Sequence, residues 1–147
     1  MAELQNSILI VEDCEINAEM LCHILGDKYI LHTARDGKEG IEKARSLLPD
    51  LVILDIILPL MDGYEVITEL KAHSETRDIP IIFVTALNNP EDERKGLMLG
   101  GSDYINKPYD SVIVKLRVKN QIQIINQLRT IELLSKEIKT WMNSENE

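Results

Sequence analysis

Ile8-Leu9-Ile10-Val11-Glu12-Asp13 is the stretch on which the fold turns: four consecutive apolar residues that run straight into two acids. A strand with one wet face alternates apolar and polar residues, whereas a strand covered on both faces does not. The same unbroken pattern recurs at residues 51–54 (Leu-Val-Ile-Leu), closed by Asp55, and at residues 81–84 (Ile-Ile-Phe-Val), closed by Thr85. Residues 29–33 and the weaker run 103–106 complete a set of five candidate strands.

Segments with helical spacing lie between them. Ile16, Met20, Leu21, Ile24 and Leu25 space as one helix face, and Gly40, Ile41, Ala44, Leu47 and Leu48 as a second, with Asp36 placed to cap it. Val66, Ile67 and Leu70 make a third face, opened by Asp62-Gly63. Pro90 suits the first turn of a fourth helix and Gly100-Gly101 its end, while Val112, Ile113, Leu116 and Val118 begin a fifth. Strand and helix in strict alternation predict an α/β, doubly wound, five-stranded parallel sheet. The order 2-1-3-4-5, the flavodoxin-like arrangement, is the common five-stranded solution, and it places ligands beyond the carboxyl ends of strands 1 and 3.

A chain of 147 residues gives one domain as the expectation, with 44% hydrophobic and 28% charged residues. Those proportions exclude a largely disordered or collagenous chain. The apolar runs are far too short to span a bilayer. Met1-Ala2-Glu3-Leu4-Gln5 has no basic patch followed by an apolar stretch, so no secretory signal is expected. A net charge of −9 repels nucleic acid phosphates, and no direct nucleic-acid contact is expected. Two cysteines, Cys14 and Cys22, cannot build a disulfide framework and are read as buried free thiols in one amphipathic stretch. A cytoplasmic location follows as the expectation.

The fifth helix is expected to run on, since residues 111–141 contain neither Gly nor Pro. Ile124, Ile131 and Ile138 recur every seven residues, with Gln127, Leu134 and Trp141 on the companion seam. The segment is locally basic, with six Lys or Arg against two acids. Because these charges neither cluster nor interleave with aromatics, a solvated helix face is the reading. The chain thus divides into residues 1–120 and a helical extension, 121–147, acting as linker or dimerisation helix.

The informative side chains stand just past the strands: Glu12 and Asp13 after strand 1, Asp55 after strand 3, Thr85 after strand 4, and Asn106-Lys107-Pro108 after strand 5. In the order 2-1-3-4-5 they converge on one rim. Each alone could be a turn or a cap; the set is what carries weight. Three neighbouring carboxylates repel one another unless a cation joins them. A donor set of oxygen alone selects a hard cation, and Mg²⁺ is the natural one. With Lys107 and the Thr85 hydroxyl added, the parts suit stabilisation of a transferring phosphoryl group, and an aspartate can be its nucleophile.

At these residues the sequence resembles the receiver domain of bacterial two-component response regulators. The matching stretches are Ile8 to Asp13, Leu54-Asp55-Ile56-Ile57-Leu58-Pro59 with Met61-Asp62-Gly63-Tyr64-Glu65, Ile81 to Ala86, and Gly100-Gly101-Ser102-Asp103-Tyr104 with Lys107-Pro108-Tyr109. The resemblance covers about residues 5–120. It implies that Asp55 is the phospho-acceptor, that Asp13 holds Mg²⁺ directly and Glu12 mainly through water, and that the Ile57 carbonyl is a backbone ligand. It implies further that Lys107 pairs with the phosphoryl group, that Thr85 moves toward it, that Tyr104 is the aromatic switch, and that a cis peptide precedes Pro108. The implied partner is a sensor histidine kinase or histidine phosphotransfer protein.

Two other classes compete. A flavodoxin-like cofactor binder needs a hydroxyl- and glycine-rich phosphate loop after strand 1, where this chain has Glu12-Asp13-Cys14-Glu15. A phosphohydrolase needs a general acid beside the nucleophile and a cap, and Ile56 and Ile57 supply no acid. The resemblance also carries an expectation about lifetime. The side chains two positions after the phospho-acceptor and after the switch hydroxyl border the path of the hydrolytic water, and here they are Ile57 and Leu87, which cannot orient one. Slow loss of phosphate is expected. So is a parallel homodimer through the fifth helix; the chain is either a stand-alone receiver or the regulatory piece of a longer protein, and the long helix favours the second.

Overall fold

The computed structural model describes residues 5–86 and 88–145. Its elements run β1 (Ser7–Val11), α1 (Glu15–Leu25), a short 3₁₀ turn (Gly26–Lys28), β2 (Ile30–Ala34), α2 (Gly37–Leu47), β3 (Leu51–Asp55), α3 (Gly63–Ala72), β4 (Ile81–Ala86), α4 (Pro90–Met98), β5 (Asp103–Lys107) and α5 (Ser111–Glu145). The five strands form one sheet in the order β2-β1-β3-β4-β5, and every pairing is parallel. This is the doubly wound, flavodoxin-like arrangement that the apolar runs anticipate.

Alternate residues of the continuous runs serve opposite faces of the sheet. Ile8, Ile10, Ile53, Ile82 and Val84 pack with Leu21 and Leu25 of α1 and Val114, Val118 and Ile122 of α5. Leu9, Val11, Val52, Leu54 and Phe83 pack on the other face with Ala44 of α2 and Val66, Ile67 and Leu70 of α3. Burying both faces removes water from every residue of β3 and leaves only the strand ends free for polar chemistry.

Helix starts follow their caps. Asp36 accepts a hydrogen bond from the Glu39 amide at 2.8 Å, and Asp62 accepts one from Glu65 at 2.9 Å. Asn89 does the same for Asp92, with Pro90 as the first helical residue. Such a cap stabilises a helix by about 1 kcal/mol.

Several helix faces are narrower than the sequence spacing implies. Ile16 and Met20 are exposed, so α1 buries Leu21 and Leu25 alone, with Ile24 partly covered. On α2, Gly37, Gly40 and Ala44 meet the core, and Leu47 and Leu48 face outward. On α5, Val112, Ile113 and Leu116 are exposed, and the buried line is Val114, Val118 and Ile122, four residues apart. In each case the helix carries more apolar residues than the stripe one sheet face can cover. Cys14 and Cys22 are half-buried free thiols rather than core residues. All residues from Asn126 to Glu145 are exposed, and the α5 seam residues Ile124, Ile131, Leu134, Ile138 and Trp141 with them.

Candidate functional site

Two strands, β1 and β3, end at one rim and deliver its acids. The last residue of β3 is Asp55, 2% exposed, and Glu12, 3% exposed, follows β1 directly. One carboxylate oxygen each from Glu12, Asp13 and Asp55 lies within 4.8 Å of the others. The loop after β3 is held against the sheet: the Ile56 amide donates to the Val84 carbonyl at 3.3 Å, and the Gly63 amide donates to the Ile56 carbonyl at 2.9 Å. Position 63 admits only glycine, because a methyl group there would lie 2.4 Å from the Ile56 Cα. The Ile57 amide donates back to Asp55 Oδ1 at 2.9 Å, and the Ile57 side chain is 69% exposed.

Lys107, the last residue of β5, crosses the rim and places Nζ 2.5 Å from Asp55 Oδ2. The Lys107–Pro108 peptide bond is cis. Burial pulls the Lys107 pKa down, yet the bond to Asp55 and the surrounding acids outweigh it and raise the net value. Glu12 accepts from the Cys14 amide at 3.2 Å through Oε1, while its Oε2 is buried with no partner. Its pKa is pushed up to about 8, first by burial and then by hydrogen bonding and repulsion from Asp55. The cluster therefore lacks positive charge even with Lys107 in place. A buried carboxyl oxygen with no partner in the fold, beside two further carboxylates, fits a hard cation that would displace its proton, and Glu12, Asp13 and Asp55 are the side chains that would hold it.

Thr85 is buried at the end of β4 and accepts a hydrogen bond from Asn106 Nδ2 at 2.9 Å. Tyr104 lies farther from the rim on β5, half-buried, with its ring 5.9 Å from that of Phe83 and the Arg117 guanidinium 5.8 Å away. The structure thus gathers Glu12, Asp13, Asp55 and Lys107 into one cluster, sets Thr85 at the end of the neighbouring strand and leaves Tyr104 apart from the acids. Leu87 lies outside the described residues. Two features escaped the sequence reading. Asn106 stood out only as a strand end, although its register opposite Thr85 was implicit in the parallel order. The Tyr109 hydroxyl is buried without a partner, and its pKa is raised first by burial and then by the charges of Glu12, Asp55 and Cys14.

The family model described as "Response regulator receiver domain" matches residues 8–119. A "Probable cyclic di-GMP phosphodiesterase" of Vibrio cholerae is 42% identical over 119 residues, which is 81% of this chain and 27% of that protein. Response regulator PleD of Caulobacter vibrioides is 37% identical over 129 residues, 85% of this chain and 28% of that protein. The chain therefore spans about a quarter of the length of these curated relatives. Among solved structures, the signal receiver domain of a signal transduction histidine kinase from Syntrophus aciditrophicus superposes with a TM-score of 0.74 at 38% identity, covering 80% of this chain and 90% of that one. The chemotaxis response regulator CheY4 of Vibrio cholerae gives 0.76 at 27% identity, covering 80% and 99%. A buried aspartate under a lysine, flanked by two further acids on a parallel sheet of this order, agrees with that match, and the chain belongs to the response regulator receiver domain family, the phosphorylation-dependent switches of two-component signalling.

Proposed function

We propose that Asp55 is the phospho-acceptor and that Glu12, Asp13, Asp55 and the Ile57 carbonyl hold a Mg²⁺ ion beside it. The observation that carries this reading is the buried Asp55 carboxylate, bonded to Lys107 at 2.5 Å and crowded by two acids, one with an unsatisfied oxygen. The donor is a phosphohistidine on a sensor kinase or a histidine phosphotransfer protein. An Asp55 oxygen attacks phosphorus in line, a P–O bond forms, the P–N bond breaks, and the departing imidazole takes up a proton. Lys107 turns from the carboxylate to the equatorial oxygens as charge develops there. The bound cation supplies further neutralisation of that charge. The domain in this way assists its own phosphorylation, while remaining a regulatory phospho-acceptor rather than a turnover enzyme.

Thr85 and Tyr104 carry the signal from Asp55 to the face made by α4, β5 and α5. The division at residue 120 separates the receiver from a helical extension, and the exposed seam of that extension supports a parallel homodimer through α5. Neither direct nucleic-acid binding nor membrane insertion forms part of the proposal. Among the described residues no helix is long and apolar enough to cross a membrane. The two free thiols suit a reducing compartment, and the proposal places the domain in the cytoplasm.

Incubation with acetyl phosphate or phosphoramidate tests the assignment. The parent accumulates about one acid-labile phosphate per chain with Mg²⁺ and none with chelator, and Asp55→Asn takes up none while keeping its fold by circular dichroism. Labelling of Asp55→Asn at the parent level overturns the reading, and continuous phosphate release without accumulation favours a hydrolase.

A further inference from the structure

The sheet face that α4 covers bears two successive cross-strand pairs at the ends of β4 and β5, Phe83 with Tyr104 and Thr85 with Asn106. Residues two apart on a strand share a face, so the four side chains form one column leading toward the rim. At its outer end the Asn106 amide nitrogen donates to Thr85 Oγ1 at 2.9 Å, to Glu93 Oε1 of α4 at 3.2 Å and to the Ala86 carbonyl at 3.4 Å. A carboxylate and a carbonyl only accept, so those two atoms fix which way the amide points. The Thr85 oxygen consequently meets a donor, and the Thr85 proton is left uncommitted. Two amide hydrogens serve three acceptors, and the bond to Thr85 is the shortest. Glu93 also bears on the next pair of the column, since its charge is the leading cause that raises the Tyr104 pKa.

We propose that Asn106 is a positioning residue that latches Thr85 in the resting domain and ties it, through Glu93, to α4. The proposal rests on the phospho-accepting role of Asp55 given above. When the Thr85 hydroxyl moves toward a phosphoryl group on Asp55, its bond to Asn106 breaks. The released amide keeps Glu93 and Ala86 as partners, and the carboxylate that faces Tyr104 is redistributed with it. The phosphoryl group therefore competes with one hydrogen bond for Thr85, and the strength of that bond sets how far the resting equilibrium leans away from the active form.

The test uses beryllofluoride with Mg²⁺ as the probe, followed by fluorine NMR of protein carrying 3-fluorotyrosine, with the Tyr104 signal assigned through Tyr104→Phe. Asn106→Val keeps a strand-favouring side chain and removes the donor. The half-saturating beryllofluoride concentration is expected to fall about three- to tenfold, the equivalent of one net hydrogen bond. In the absence of beryllofluoride the Tyr104 resonance of the variant should sit part-way toward that of the saturated parent. Asn106→Leu, close to asparagine in size, serves the same comparison should the valine variant fail to fold. If the parent binds and the folded variant saturates at the same or a higher concentration with its Tyr104 signal unmoved, the latch is wrong while the Asp55 assignment stands. If the parent itself fails to bind beryllofluoride, the Asp55 assignment falls and the latch falls with it.

Discussion

Glu12 carries an oxygen that nothing in the fold satisfies, and this makes its protonation a property of the whole rim. Its pKa rises from an unperturbed 4.5 to about 8, chiefly through burial. A carboxyl raised by folding costs stability once the unfolded chain has ionised. The penalty is absent below about 4.5, grows as the pH rises through the interval and is complete above about 8. Without metal the domain should therefore lose stability from pH 5 to pH 8. Added Mg²⁺ should raise the melting temperature more at pH 8 than at pH 6, where a proton competes for the same oxygen. Thermal melts at both pH values check this, and Glu12→Gln should erase the contrast. A second prediction belongs to Ile57, whose side chain stands exposed beside the nucleophile and offers no hydrogen bond to a water. Replacing Ile57 by Asn and Leu87 by Glu is expected to speed loss of phosphate from Asp55 by roughly ten- to a hundredfold, about 1.4–2.7 kcal/mol of barrier. The decay of labelled protein at fixed Mg²⁺ measures it, and equal decay in the double variant defeats it. The acids of this rim were legible because Glu12 and Asp55 each follow an apolar run directly and Asp13 follows Glu12. The Asn106 bond was not, since strand order puts Asn106 opposite Thr85 but leaves open which atom its side chain bonds.

Among the elements, the loop between β3 and α3 is tightly specified at Gly63. A methyl group at position 63 collides with backbone, not with a flexible side chain, so the chain must shift to admit it. Gly63→Ala should destabilise the domain by about 1–3 kcal/mol, the usual cost of overpacking, and should slow phosphorylation by displacing the segment that carries Ile57. Urea unfolding and acetyl phosphate labelling on the same preparation report both effects. The three central strands, β1, β3 and β4, were readable because burial on both faces leaves no alternation to misread, whereas the edge strands β2 and β5 are only partly covered. Helix faces were less so: Ile16, Met20, Leu47, Val112 and Leu116 are apolar, fall at plausible spacings and still face outward. Periodicity records which residues could share a face, whereas the sheet has width for only part of them. The caps Asp36 and Asp62 were readable for the opposite reason, because a capping side chain acts on its own backbone within three residues.

At the scale of the whole molecule, α5 leaves the domain with an apolar seam exposed and is tied at the base by Arg129 to Asp50 at 2.5 Å and by Asn126 to Asn6 at 3.0 Å. The heptad spacing of Ile124, Ile131 and Ile138 with Leu134 and Trp141 suits a second copy of the same helix. Sedimentation of the full chain against one ending at Asn120 should give a dimer for the first and a monomer for the second, and two monomers at high micromolar concentration refute the seam. The topology was legible from five runs and their polar ends, while the direction in which the last helix travels had no signal beyond the absence of Gly and Pro.

That helix is also a lever. It begins four residues after Lys107, which touches Asp55, and continues unbroken for 35 residues, about 52 Å. Its last tie to the domain is Arg129, so the remaining 16 residues project about 24 Å beyond the fulcrum. A tilt of about 5° at that tie sweeps the far end through roughly 2 Å, more than the rise from one helical residue to the next. Repacking too small to disturb the sheet is thereby magnified into a displacement large enough to bring two neighbouring rods into or out of register.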